Sequence, residues 1–392
     1  MYQFDSRKIQ PGDIFICLPG GEPYIKVAKK KGAIDVVRMT RHEMATFART
    51  KFKNPSAKLK VVGITGTNGK TSVSNFVYQA LKLLGQNPFV LGTLNSTLTT
   101  PESLDTVRLM SNHLAKGGTH FIMEVSSHAI KQERVAEIDF SVRCLTNITQ
   151  DHLDYHGSFE DYKQTKLSFL KSSSGKSVIP EQFLRLNVPV NNNLIGEFNI
   201  ENLKATKQIL MELGYSEKQI NSVLMNVKSP PGRFEIINGD QPFTVVVDYA
   251  HTPDSLSSVL KTAKECLKSE QSKLLCLFGC GGDRDRTKRP LMTAAAFSFA
   301  DNVVITQDNP RNEDPKQIIS DILTGLPDKD CTYKVEENRF KAIEIILKMA
   351  QKDDLVIIAG KGHETVQLLA SGPIEFDDRK VAKLHLKEMG YL

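Results

Sequence analysis

The run Gly63-Ile64-Thr65-Gly66-Thr67-Asn68-Gly69-Lys70-Thr71-Ser72 carries the plainest chemistry in the chain. Closely spaced glycines let main-chain N–H groups turn inward around an anion. A lysine ending the turn can reach the β- and γ-phosphates of a nucleotide, and the next hydroxyl, Thr71, can take Mg²⁺. The spacing departs from the usual phosphate loop, because Ile64 occupies its first glycine position and the glycines fall at 63, 66 and 69. A second set of reactive side chains comprises Glu124, in FIMEVSSH, and Asp151-His152-Leu153-Asp154-Tyr155-His156, which follows LTNITQ. A carboxylate at the C-terminal end of a parallel strand faces the crevice where open α/β sheets bind ligands. Glu124 and His152 are therefore candidates for holding a further Mg²⁺ beside the phosphates. By residue type alone, His152 is as well explained as a satisfied core histidine, while Asp154 and His156 read as loop and cap residues. Lys166, in EDYKQTKLSFL, reads from its pattern as an ordinary surface lysine on a helix.

These groups need a scaffold, and the apolar periodicity describes one. Residues 60–65 read as a strand running into the glycine turn. Val73, Phe76, Val77, Ala80, Leu81 and Leu84 then recur at helical spacing, with Gly85 as the stop. Strands are expected at 121–125 and 142–148, and residues 171–199 show little periodicity. A helix at 201–213 follows, and the Pro230-Pro231-Gly232 kink marks a boundary. Beyond it, strands at 244–248, 273–278, 302–306 and 354–359 alternate with helices at 255–268, 315–326 and 340–351. That rhythm predicts an α/β chain with a doubly wound, mostly parallel sheet, and no internal repeat is visible.

Composition narrows the class further. The 392 residues suggest two or three domains, and 40% hydrophobic with 24% charged residues excludes a disordered or collagen-like chain. No apolar run approaches the roughly 18 residues of a membrane span, and no basic-then-apolar leader opens the chain, so a cytoplasmic protein is expected. The net charge of +6 is mild, and no basic stripe is interleaved with aromatics, so no nucleic-acid partner is expected. Lys29-Lys30-Lys31 reads as a solvated helix end. The six cysteines read as reduced thiols.

GITGTNGKTS, MEVSSH, NITQDHLDYHG, GRFE, DYAHTPDSL, GCGGDRDRTKRPLM, DNPRNEDP and GKGHE occur in that order, and the chain resembles the Mur ligase family over almost its whole length. The resemblance implies three domains: residues 1–60 for the UDP substrate, 61–232 for ATP, and a Rossmann-like domain at 233–392 for the incoming amino acid. It also implies an ATP-dependent ligase that makes an acyl phosphate on UDP-MurNAc-L-Ala-D-Glu and lets an amine attack it. ATP and Mg²⁺ are the implied cofactors, and a monomer is expected. Carried over, Lys70, Glu124, His152 and Lys166 are the catalytic set. Thr71, Glu124, His152 and a carbamylated Lys166 are the metal ligands. Gly66, Thr67, Asn68, Gly69, Lys70, Thr71, Ser72, Asn199, Asn202, Arg233 and Asp248 are implied for ATP. Ser6, Thr99, Thr100, Ser126, Gln132 and Arg134 are implied for the UDP-dipeptide. Without the resemblance, Thr99, Thr100 and Ser126 would read as plain loop hydroxyls.

For the amino acid the resemblance implies Arg284, Asp308, Asn309, Arg311, Gly360 and Glu364. Meso-diaminopimelate carries an amino-carboxylate at its far end where lysine has only an ammonium. Arg311 can bind that carboxylate with two parallel hydrogen bonds while Glu364 takes the ammonium. Facing lysine, Arg311 would be left opposite a cation, so meso-diaminopimelate is the expected substrate. A role for Arg311 as a cap on the following helix is disfavoured, since a cation is unfavourable at a helix N-terminus. The alternatives are a lysine-adding or folylpolyglutamate-like ligase of the same superfamily, and a nucleotide-binding protein without ligase activity. The chain is short for the family: a leading segment before Asp5-Ser6-Arg7 and part of the stretch between Lys166 and Asn199 are expected to be missing.

Overall fold

The computed structural model describes residues 1–171, 175–327 and 332–392. Cys331 and the serines at 172–174 of the aperiodic stretch lie outside the described residues. The other five cysteines are free thiols, and all but Cys266 are buried. The chain divides into two compact units. One comprises Met1–Thr65, Leu81–Leu145 and Thr165–Val178; the other comprises Gly66–Ala80, Thr146–Gln164 and Ile179–Leu392.

The first unit opens with a parallel sheet of three short strands, β1 (Tyr2–Gln3), β2 (Ile14–Cys17) and β3 (Asp35–Arg38). Two helices belong to it, α1 (Ile25–Lys30) and α2 (Arg41–Lys51), the latter started by a Thr40/Glu43 capping box. Lys29–Lys31 are exposed at the end of α1, as expected of a solvated helix terminus.

A larger sheet follows. Its strands are β4 (Lys60–Thr65), β5 (Pro88–Leu91), β6 (His120–Glu124), β7 (Val142–Leu145) and β8 (Lys176–Val178). They are all parallel, in the order β5-β6-β4-β7-β8. Helices connect them in sequence: α3 (Lys70–Leu83), α4 (Ser103–Ala115), α5 (Ser127–Lys131), α6 (Leu153–His156) and α7 (Phe159–Leu170). A parallel sheet buried on both faces needs apolar side chains on both, and β4 after Lys60 and the whole of β6 are buried with apolar residues at most positions. Gly63 interrupts β4 for a packing reason. A Cβ there would lie 2.5 Å from the Phe140 ring and 2.7 Å from that of Phe169, two rings that meet edge to face. Ile64 is level with both Glu124 and Cys144, so three strands end together at one edge.

The second unit contains α8 (Pro180–Phe183), α9 (Glu197–Glu212), α10 (Glu217–Leu224) and a six-stranded sheet. The strands are β9 (Glu235–Ile236), β10 (Thr244–Asp248), β11 (Leu274–Phe278), β12 (Asn302–Ile305), β13 (Tyr333–Val335) and β14 (Leu355–Ala359). Their order is β13-β12-β11-β14-β10-β9, and only β9 is antiparallel. Helices cover its two apolar faces: α11 (Pro253–Glu265), α12 (Lys288–Phe299) and α13 (Pro315–Leu323) on one, and α14 (Arg339–Met349) with the C-terminal helix on the other. A hairpin of β15 (Val366–Leu369) and β16 (Gly372–Glu375) and then α15 (Asp378–Glu388) complete it. The motifs DYAHTP, GCGGDRD, DNPR and GKGHE directly follow the C-terminal ends of β10, β11, β12 and β14. That is the edge where such sheets bind ligands.

Inside that edge, Arg339 donates to both oxygens of Asp378, Nε at 2.8 Å and Nη2 at 2.7 Å, and Nη2 also reaches the Ala359 carbonyl. Both side chains are fully buried. Removing one partner strands the other charge, so Asp378→Ala should lower unfolding stability by about 3–5 kcal/mol, read by urea denaturation. A cost under about 1 kcal/mol would contradict a dry pair.

Candidate active site

The glycine turn belongs to the second unit and is fastened to the segment after β7. Gly66 and Gly69 have φ of 147° and 82°. A Cβ on Gly66 would lie 1.9 Å from Thr146 Oγ1, and one on Gly69 would lie 2.6 Å from Asn202 Oδ1, so both positions need glycine. The Thr67 amide donates to the Asn147 carbonyl at 3.0 Å, and the Asn68 amide donates to Asn147 Oδ1 at 2.9 Å. Thr67 Oγ1 donates to the Thr149 carbonyl and accepts the Thr149 amide, at 3.0 and 2.9 Å, and lies 2.9 Å from the Tyr162 hydroxyl. The strand expected at 142–148 therefore stops at Leu145: the next residues bind the turn instead of a neighbouring strand.

Lys70 folds back over this turn. Its Nζ donates to the carbonyls of Gly66 and Thr67, both at 2.8 Å, which sets the ammonium at the turn's mouth. Arg233 Nη2 donates to Thr71 Oγ1 at 3.1 Å, and its guanidinium lies 4.3 Å from the centre of the Tyr249 ring. Ser72 is buried. Asp248 accepts the amides of Phe234 and Ala250 at 2.6 and 2.7 Å; burial pushes its carboxyl up while the Arg233 charge opposes the rise. Asn199 spends its amide on the Ile195 carbonyl. The arm carrying Arg233 abuts the GKGHE loop: a Cβ on Gly232 would lie 2.1 Å from the His363 amide nitrogen.

His152 starts α6 with φ of 56°, its side chain about a third exposed and 3.5 Å from the buried Asp151 carboxylate. This excludes the core-histidine alternative. His156 is the buried one, packed edge-on against Tyr162. Burial pushes the Asp151 carboxyl up, but His152 and Lys288 outweigh it and hold the group below its ordinary range. Lys288, which the sequence reading did not single out, lies 3.9 Å from Asp151.

In the first unit, Glu124 ends β6 and is buried. Its two oxygens accept the amide and hydroxyl of Thr93, at 2.9 and 3.1 Å. Thr93 was not anticipated; a lone threonine after a glycine carries no pattern. Gly92 makes room, since a Cβ there would lie 2.1 Å from Glu124 Oε1. Five of the six residues implied for the UDP-dipeptide gather around this carboxylate. Thr99 lies 3.1 Å from Thr93, and the buried Thr100 hydroxyl donates to the Glu124 carbonyl and accepts the Ser126 amide. Arg134 donates to the Thr100 carbonyl at 2.9 Å and to Gln132 at 2.6 Å, with Glu102 3.4 Å away. Ser126 also caps α5. The sixth, Ser6, is buried in the short helical turn Ser6–Lys8. Lys166 is corrected from a surface lysine to a buried one, 1% exposed on α7.

The third cluster sits at the ends of β11, β12 and β14. Arg311 adopts a φ of 54°, and its Nη1 donates to the Gly282 and Asn309 carbonyls at 2.8 and 3.3 Å. Its Nε and Nη2 make no hydrogen bond among the described residues, which leaves two adjacent donors of the fork for a carboxylate. Burial and then the neighbouring Arg284 push this guanidinium down. Asp314 caps α13, so Arg311 does not. Asn309 donates to Glu364 Oε2 at 2.8 Å. Asp308 is buried against Gly360, where a Cβ would lie 2.5 Å from Asp308 Oδ2. Arg284 is exposed and donates to the Asp283 carbonyl. The buried Arg289 anchors the loop through Glu313, Asp321 and the Gly281 carbonyl.

Among the described residues no group of three or more His, Cys, Asp or Glu side chains is gathered for a metal ion. Mg²⁺ at a nucleotide does not require one, because it takes one or two protein oxygens and fills its sphere with phosphate and water.

His251 and His363 flank Tyr249, with ring centres 4.7 and 4.9 Å from it. Burial, reinforced by Lys288 for the first and Arg233 for the second, lowers their pKa to about 4 and about 3. The unfolded chain therefore binds protons on these rings that the fold refuses. Their contribution to stability is complete above about pH 6.5 and is lost as pH falls toward 4. The thermal midpoint should drop across that window, and His363→Gln should flatten the drop; a midpoint constant from pH 7 to 4.5 would contradict the burial.

Two family models match the chain: the Mur ligase middle domain over residues 64–184, and the Mur ligase, glutamate ligase domain over residues 232–362. The chain is 35% identical to the UDP-N-acetylmuramoyl-L-alanyl-D-glutamate–2,6-diaminopimelate ligase of Geobacillus thermodenitrificans, covering 98% of this chain and 94% of that one. It is 37% identical to the ligase of the same name from Clostridioides difficile, over 99% and 95%. The Geobacillus alignment spans 464 positions against 392 residues here, so that relative carries internal segments this chain lacks. A solved ligase of that name matches at 29% identity and a TM-score of 0.60, covering 100% of this chain and 95% of that one. The Thermotoga maritima MurF ligase solved with ADP shares the fold at a TM-score of 0.67 and 16% identity, over 99% and 97%.

Proposed function

Because the chain belongs to the Mur ligase family, we infer its reaction from that membership and from the side-chain cluster around Arg311. It is an ATP-dependent ligase forming a carbon–nitrogen bond, and it adds meso-diaminopimelate to UDP-N-acetylmuramoyl-L-alanyl-D-glutamate in peptidoglycan synthesis. The observation that carries the choice of amino acid is the unused pair of donors on Arg311, in a cluster that also holds the carboxylate of Glu364. A far-end carboxylate pairs with that fork, and the ammonium beside it pairs with Glu364. Lysine offers the fork nothing.

The chemistry sets what the remaining residues must do. A carboxylate is a poor electrophile, and its oxygen must approach a γ-phosphate of the same sign. Lys70, at the mouth of a turn whose backbone is already fastened, offsets that repulsion and stabilises charge as the phosphoryl group transfers to the substrate. The acyl phosphate then has a good leaving group, and the amine held through Arg311 and Glu364 displaces phosphate to leave the amide. Arg233, beside Thr71, is assigned to the phosphates. Asn199, Asn202 and Asp248 are assigned to the nucleoside by the resemblance; the two main-chain hydrogen bonds on Asp248 favour a bracing part for it.

Thr71, Glu124, His152 and Lys166 are the proposed Mg²⁺ ligands. Hydroxyl and carboxylate oxygens with one imidazole suit a hard divalent cation, and a lysine joins such a set only as its carbamate, which converts a cation into an anion. Mg²⁺ would supply further neutralisation of the triphosphate. Thr99, Thr100, Ser126, Gln132 and Arg134, with Ser6, are proposed for the UDP-dipeptide. Residues 1–60, 61–232 and 233–392 are proposed as the UDP-, ATP- and amino-acid-binding portions, acting as a monomer in the cytoplasm. Among the described residues no helix is long and apolar enough to cross a membrane.

Mixing the chain with ATP, Mg²⁺, UDP-MurNAc-L-Ala-D-Glu and one amino acid at a time, and following phosphate release, tests the reading. Release with meso-diaminopimelate and not with lysine is expected; release with neither would overturn it. Lys70→Ala should abolish turnover. Arg311→Ala should raise KM for diaminopimelate by about tenfold or more, with KM for ATP unchanged. Lys166→Ala should be inactive and Lys166→Glu partly active; equal rates in both and in the parent chain would remove the carbamate.

A further inference from the structure

Lys361 has no part in the reaction as described, yet it is fully buried, which is costly for an ammonium unless every donor is used. It lies between Gly360 and Gly362, whose φ values of 114° and 50° turn the chain sharply after β14 and send this side chain inward. Its Nζ donates to Asn309 Oδ1 at 3.1 Å, Glu364 Oε2 at 2.9 Å and the Val366 carbonyl at 2.8 Å. Those three bonds exhaust an ammonium.

The consequence falls on its partners. Glu364 Oε2 accepts from both Lys361 and Asn309, whereas Oε1 accepts no hydrogen bond among the described residues. Asn309 Oδ1 accepts from Lys361 and from the Leu368 amide, which fixes the amide flip and directs Nδ2 to Glu364. The lysine thus locks one oxygen of the carboxylate and leaves the other for a ligand. Its charge also bears on what that ligand can be. Lys361 already compensates the Glu364 charge, and the Arg311 fork has two donors unused, so a purely cationic end group meets a compensated carboxylate and an unmatched guanidinium, whereas a zwitterionic one brings its own carboxylate to the fork.

We propose that Lys361 is a positioning and specificity residue of the amino-acid cleft, presenting Glu364 Oε1 to the ammonium of the incoming amino acid and counting against a side chain that ends in a cation alone. This rests on the amino-acid cleft assigned above.

The test is steady-state phosphate release by the full chain, with KM determined separately for diaminopimelate, lysine and ATP. Lys361→Met should raise KM for diaminopimelate about tenfold, leave KM for ATP within about twofold, and reduce the diaminopimelate-over-lysine preference in kcat/KM by about tenfold. A general loss of structure would move all three constants together. Lys361→Gln keeps two hydrogen-bond donors without the charge, and it decides the matter should the methionine variant fail to fold: relative to the parent chain the preference falls and KM for diaminopimelate rises, while KM for ATP stays within about twofold. An unchanged preference in the glutamine variant, or equal rises in KM for amino acid and ATP, overturns the proposal. If the parent chain uses a different amino acid, the substrate assignment fails on its own. Lys361 is then judged on KM for that amino acid, which must rise while KM for ATP does not.

Discussion

The hydrogen bonds between Thr67-Asn68 and the Asn147–Thr149 segment decide what the glycine turn can do. A cradle of main-chain N–H groups stabilises charge only if those dipoles need not reorient when the charge arrives. Here the turn is held by the protein's own groups, because the segment after β7 leaves its sheet to bind it. The two glycines follow from the same fastening: with Thr146 and Asn202 packed against the turn, no side chain fits at 66 or 69. Lys70 is placed by this arrangement too, since its two acceptors are carbonyls of the fastened turn.

The cluster around Arg311 is built on a similar economy with ionic groups. Arg289, Arg339 and Lys361 are buried cations, and each is matched by a carboxylate and by main-chain carbonyls. Such groups add little net stability, but they give the strand ends above β11, β12 and β14 one arrangement in place of several. Against that fixed background the half-used fork of Arg311 is informative. The Lys361 ammonium beside it uses all three of its donors, whereas Arg311 keeps two in reserve.

Much of this was legible in the residues. The strands read at 60–65, 244–248 and 302–306 announce themselves as apolar runs, the last ending one residue earlier in the fold, and α3 announces itself by its stripe. Their connection as parallel sheets places Glu124 and DNPR at C-terminal strand edges. Other features left no local trace. Lys166 and Lys361 look like solvent lysines because sequence gives the residue type and not its depth. His152 and His156 sit four apart on a turn too short for periodicity, so nothing local showed that His156, read as a loop and cap residue, is the one that enters the core. Helix α9 begins at Glu197, ahead of its apolar stripe, because Gly196 at φ 95° sets the start. Thr93 gains its meaning only once β5 and β6 lie side by side.

The contact of Gly232 with Gly362-His363 is made by backbone alone, with no gap for a methyl group on either side. Arg233, next along one strip, reaches Thr71 at the glycine turn; Lys361, next along the other, reaches Glu364. Side chains along either strip can change without disturbing this contact, whereas one added carbon at 232 would displace the strip that carries Arg233 and the strip that carries Lys361 together.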